Sequence, residues 1–75
     1  MNIKETIELI AYLKEKRNDA ADMRNYYQDR LTKLTEEGGE EKDKEFVKSA
    51  ATKCGMEASK LDYFIRILEQ IEVTR

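Results

Sequence analysis

The stretch "TKCGMEASKL", residues 52–61, decides how this chain folds. It holds the sole cysteine, Cys54, and the one glycine outside the Gly38-Gly39 pair. If Gly55 ends a helix, the second half of the chain is two helices and a turn. If the helix passes through it, the second half is one long helix. Glycine inside a helix costs only about 1 kcal/mol relative to alanine, so the residue alone forces neither outcome.

The residues around it favour one helix. Val47, Ala51, Cys54, Ala58, Leu61, Ile65 and Leu68 step by four and three, in unbroken helical phase through Gly55. Ala50, Phe64 and Ile71 widen that stripe. A single apolar face on a helix over residues 41–73 is the direct reading, with the terminal "VTR" expected to fray.

The first half is simpler. Asn2 is a suitable N-cap and Glu5 stands three residues on, a capping-box spacing. Neither proline nor glycine interrupts residues 3–37. Ile3, Ile7, Ile10 and Leu13 begin an apolar face; Leu13, Ala20, Tyr27 and Leu34 continue it at heptad spacing. Gly38-Gly39 predicts the helix end, so the first helix spans about residues 2–37 and the turn 38–41. Glu40, Glu41 and Asp43 then suit the positive end of a second helix.

A short connection makes the two helices antiparallel neighbours in one domain of 75 residues. With the turn centred on Gly39, facing residue numbers sum to about 78. Leu13 then faces Ile65, Ile10 faces Leu68, Ala20 faces Ala58 and Tyr27 faces Ala51. The fold class is therefore all-α, a long antiparallel two-helix hairpin. Leu9, Tyr12, Met23, Tyr26, Leu31, Phe46, Met56, Tyr63 and Ile67 do not all fit on its seam. A chain this small buries only about 60% of its unfolded surface. The surplus predicts oligomerisation that completes a helical bundle, with Tyr12, Met23, Tyr26, Leu31, Met56, Tyr63 and Ile67 at the interface.

"VKSAATKCGMEASKLDYFIRIL", residues 47–68, also resembles the helix-turn-helix of phage repressors. Ala51, Gly55, Met56, Leu61 and Phe64 fall where that pattern has its helix alanine, turn glycine and hydrophobic anchors. Ser59 and Asp62 have the spacing of a cap for a new helix. The resemblance covers 22 residues and implies a turn at Gly55 and DNA as partner. Set against it, the second helix would present the acids Glu57 and Asp62 to phosphate, and phosphate contacts dominate affinity for DNA.

Composition narrows the chemistry. Charged residues are 40% of the chain, with 16 acids against 14 bases for a net charge of −2, and histidine is absent. This is not the basic domain expected of a protein held to nucleic acid by bulk charge. Without histidine, and with one thiol, histidine and multi-cysteine zinc sites are excluded. Cys54 lies on the apolar stripe with no activating base, so it reads as a structural thiol. The sequence has no phosphate-binding glycine loop, and a hairpin offers no deep pocket. We therefore expect no enzyme activity and no cofactor.

Arg17 and Arg24 interrupt a stripe formed with Ile3, Ile10 and Leu31. Arg17, Arg24, Ser59, Tyr63 and Arg66 are the candidate residues for a small anionic ligand such as a nucleotide, since arginine captures phosphate bidentately and tyrosine stacks on bases. The bland alternative is that both arginines are a solvated flank or pair with acids.

The stretch "MNIKETIELIAYLKEKR" does not read as a signal peptide, no apolar run reaches the roughly 20 residues of a membrane span, and a lone thiol fits a reducing, cytoplasmic compartment. The leading functional expectation is a small non-catalytic interaction protein acting by protein–protein binding and self-association. A DNA-binding regulator and an oligomeric anion binder are the alternatives.

Overall fold

The computed structural model describes residues 2–73, which form two helices: α1, Ile3–Glu36, and α2, Glu41–Val73. They pack against each other as a rod of 55 × 14 × 14 Å. The expected boundaries hold to within a residue. The "VTR" tail reaches Thr74 and Arg75, which lie outside the described residues.

α1 begins where the sequence places its cap. Asn2 has an extended backbone, and its Oδ1 accepts the Glu5 N–H at 2.8 Å. Asn2 Nδ2 donates to Glu5 Oε1 at 3.4 Å, a contact between side chains where a full capping box would engage the Asn2 backbone N–H. Thr6 contributes a feature the apolar pattern does not show: its hydroxyl donates to the Asn2 carbonyl at 3.0 Å, and it is buried.

α1 ends in a Schellman motif. Gly39 N–H donates to the Leu34 carbonyl at 2.7 Å and Gly38 N–H to the Thr35 carbonyl at 3.4 Å. Gly38 has φ +71, the left-handed conformation that glycine enters without a steric penalty. Both glycines therefore act in reversing the chain. Lys44 N–H donates to the Glu40 carbonyl at 3.1 Å, the first turn of α2, and Glu41 and Asp43 lie in that turn.

α2 runs unbroken through Gly55. The turn that the helix-turn-helix resemblance implies is therefore not formed. Burial explains this: the apolar face is continuous across the site, and packing it against α1 outweighs one glycine's cost of about 1 kcal/mol.

The core is a narrow seam. Ile10, Val47, Ala51, Ala58 and Ile65 are its buried apolar residues, and Ile65 is only 1% exposed. With the half-buried positions, α1 presents Thr6, Ile10, Leu13, Arg17, Ala20, Arg24, Tyr27, Leu31 and Leu34. α2 presents Lys44, Val47, Ala51, Cys54, Ala58, Leu61, Ile65 and Leu68. Both series alternate steps of three and four, which is heptad seam spacing.

Three expectations change here. Ile3 and Ile7, assigned to the inner face, are 52% and 54% exposed. Ile7 is one position round the helix from Thr6, and the positions of α2 that would face Ile3 lie outside the described residues. Phe64 and Ile71, assigned to the inner stripe of α2, are 47% and 45% exposed. Leu31, expected on an outer interface, is half-buried at the seam position one heptad after Arg24.

Candidate functional site: an apolar flank and two seam arginines

The seam divides the rest of the surface into two flanks of different chemistry. In antiparallel helices, residues that immediately precede seam positions on both helices share one flank, and those that follow share the other. The preceding residues include Leu9, Tyr12, Met23 and Tyr26 on α1, and Phe46, Phe64 and Ile67 on α2, and Ile71 stands one heptad beyond Phe64. Leu9 is half-buried; the other seven are exposed, Phe46 most of all at 72%. This is the apolar flank, although charged residues such as Lys16, Asp19, Arg30, Lys53 and Glu57 stand between these side chains.

A groove confirms that the two helices share it. Tyr26, Tyr27, Arg30 and Leu34 of α1 and Asp43, Phe46 and Val47 of α2 line an open hollow of about 400 Å³ near the turn. The rings of Tyr26 and Tyr27 meet edge to face, 5.4 Å between centroids. Met56 borders the same flank, lining a second hollow with Lys53, Glu57 and Lys60. Tyr63 also borders it, with its ring 6.1 Å from that of Phe64. Six expected interface residues, Tyr12, Met23, Tyr26, Met56, Tyr63 and Ile67, thus fall on or beside one face. Phe46 and Phe64 complete it.

The opposite flank is polar apart from the exposed Ile7 and the alanines Ala11 and Ala21, and it carries the ion pairs that cross the seam. Lys14 Nζ lies 3.6 Å from Glu69 Oε1. Arg17 Nη1 donates to Asp62 Oδ1 at 2.9 Å, and Arg66 Nε donates to Asp62 Oδ2 at 3.1 Å. Asp62 therefore clamps two of the five candidate anion-site residues. Arg17 and Asp62 keep about a third of their side chains exposed, so the pair is part-desolvated and screened by salt.

Arg24 has no such partner. Its Cδ is 3.3 Å from where a Cβ on Gly55 would stand. Its Nε is buried with no hydrogen-bond partner, and Nη2 reaches Asn25 Oδ1 at 3.4 Å. Gly55 is therefore a notch that accepts the arginine's methylene stem. Ser59 and Tyr63 are both exposed, Tyr63 toward the apolar side. The five candidates do not converge on one point: Arg17 and Arg66 meet at Asp62, Arg24 sits in the notch, and Tyr63 lies beside Phe64.

Cys54 is a free, half-buried thiol on the seam. Among the described residues no group of three or more His, Cys, Asp or Glu side chains is placed to hold a metal ion. None of the described helices is long and apolar enough to cross a membrane. Comparison with protein-family models, with curated proteins and with solved structures finds no match to this chain.

Proposed function

We propose that this chain is a non-catalytic helical interaction protein that works by self-association, pairing its apolar flank with that of a second copy to complete a four-helix bundle. The observation that carries this reading is the segregation of side chains: seven large apolar residues are exposed on one flank, while the cross-seam ion pairs lie on the other. Patches of this kind mark interaction sites on small proteins.

Surface area points to a second copy rather than a small peptide. The chain exposes 5906 Å², whereas a compact monomer of its mass exposes about 4800 Å². Bringing two copies to ordinary compactness would bury on the order of 4000 Å², within the range of permanent homodimers. Tyrosine, phenylalanine and methionine, which line this flank, are the residue types enriched at such interfaces. The absence of histidine from the sequence and the openness of both hollows favour recognition over catalysis.

Sedimentation at micromolar concentration tests the reading. Wild-type protein is expected at twice the chain mass. Phe46→Lys, a change at a 72% exposed position, is expected to yield a helical monomer. A wild-type monomer, or a dimer indifferent to both Phe46→Lys and Tyr26→Lys, would overturn it.

A further inference from the structure

The apolar flank is not uniform along its length. Charged residues stand in it at fixed heights on the rod, so a second copy must match charge as well as shape. The heights follow from contacts between α1 and α2. Residues whose numbers total about 79 lie level, as Arg17 does with Asp62 and Arg24 with Gly55. By that measure Asp19 and Lys60 are level, and both are exposed. Asp19 also stands at the midpoint of α1, Ile3–Glu36. Neither Asp19 nor Lys60 takes part in an ion pair among the described residues.

Two hairpins can lie flank to flank in a two-fold dimer in two ways, and both keep neighbouring helices antiparallel. In the first, the turns are at opposite ends, and each helix packs on its own copy. With the rods fully overlapped, Asp19 then meets the partner's Asp19, Lys60 meets the partner's Lys60, and Leu9 lies on the partner's Arg30. Sliding the copies by one helical turn separates the like charges. It sets Tyr12 on the partner's Arg30 in one direction and Ile67 on the partner's Glu57 in the other. In the second arrangement the turns are at the same end, α1 packs on the partner's α2, and level residues face each other. Asp19 then meets the partner's Lys60, and the two-fold axis repeats the pair. Tyr12 lies on the partner's Ile67, and Tyr26 meets the partner's Lys53, whose cation its ring attracts. No two like charges on the flank lie level.

We propose that the second copy docks with its turn at the same end of the rod, so that Asp19 of each copy pairs with the partner's Lys60. This rests on the self-association reading and adds the partner's orientation and the residue pair that fixes it. Charges beside a helix seam choose orientation and partner more than they add affinity. The repulsion between like charges works against the reversed form as much as the ion pairs favour this one.

The test measures the distance between the two turns. Glu40 is exposed and accepts a nitroxide label as Glu40→Cys, in a Cys54→Ser background that leaves one thiol per chain. Sedimentation of the wild type comes first: a monomer overturns the self-association reading and this inference with it. In the labelled dimer, double electron–electron resonance is expected to place the turns within roughly 30 Å, twice the rod's 14 Å width. A separation near the rod length of 55 Å would overturn the orientation and leave self-association standing. Asp19→Asn gives a second reading that needs no label. It removes two ion pairs from the proposed dimer, and the dissociation constant is expected to rise about three- to tenfold. In the reversed, fully overlapped dimer the same change relieves a repulsion. An unchanged or lower dissociation constant would therefore overturn the pairing of Asp19 with the partner's Lys60.

Discussion

The side chain of Arg24 lies across Gly55, with its Cδ 3.3 Å from the place a Cβ would take. The glycine thus has a packing role within an unbroken helix. Two effects oppose each other on replacing it with alanine. The helix gains about 1 kcal/mol of propensity, and the flexible arginine stem must yield by a few tenths of an ångström. The propensity gain wins because the crowded atom belongs to a mobile side chain. Gly55→Ala is expected to stabilise the protein by about 0.5 kcal/mol, and by about 1 kcal/mol in an Arg24→Ala background. Thermal melts at one fixed protein concentration measure both; a loss of stability in the Arg24→Ala background would show that the glycine is needed for another reason.

Asp62 holds two guanidinium groups of unequal exposure, with Arg17 at 30% and Arg66 at 77% of their side chains. The inner contact should dominate. Asp62→Ala is expected to cost about 1–2 kcal/mol, because Arg17 is left part-buried without its acid. A double-mutant cycle with Arg17 should give a coupling of about 0.5–1 kcal/mol that shrinks as salt is added. The cycle with Arg66 should give less. Equal couplings from the two arginines would contradict the unequal burial.

Ile65 is the most buried side chain in the seam at 1% exposure. Truncation to alanine removes three carbons from a core with few others to share the load. The expected loss is about 2–5 kcal/mol, enough to unfold a marginal domain. Phe64→Ala, at the adjacent 47% exposed position, should cost the hairpin much less. Its effect belongs to association and should appear in sedimentation. Denaturant titration of both variants separates the two roles. A loss for Phe64→Ala as large as that for Ile65→Ala, with association unchanged, would reverse them.

Gly38 has φ +71 with open space where a side chain would sit. A substitution there meets a conformational penalty without a steric clash. Gly38→Ala is expected to cost about 1 kcal/mol, and Gly38→Asn less, since asparagine tolerates the left-handed region. Similar losses for the two, read from melts, would mean that something besides backbone conformation constrains the turn.

Much of the hairpin was readable from local signals. Asn2 with Glu5 marked one helix start, and Gly38-Gly39 marked its end, because caps depend on a few adjacent residues. The phase of Val47 through Leu68 was enough to carry α2 across Gly55. The register was readable as well: Arg17–Asp62 and Arg24–Gly55 fall within one residue of the expected pairing. The rotation of α1 about its own axis was harder. Leu13, Ala20, Tyr27 and Leu34, which the heptad spacing puts on the seam, form one of its two alternating rows, and Ile10 is the one member of the second row that the sequence places there. The second row contains Ile10, Arg17, Arg24 and Leu31; the sequence shows it as an apolar stripe interrupted by charge, and the arginines do not reveal that the stripe packs on α2. Thr6 carries no apolar signal in the sequence, yet it is buried cheaply because its hydroxyl bonds the Asn2 carbonyl.

The sequence alone determined two long helices, their caps and their antiparallel order, since each follows from contacts within a few residues along the chain. The tertiary structure decided which faces the helices turn toward each other. That choice placed Arg17 and Arg24 on the seam, turned Phe64 and Ile71 outward, and made Gly55 a notch. It rests on packing between residues more than 30 positions apart, where an arginine stem can lie over a glycine while its head reaches solvent or an acid. No local propensity encodes such a fit.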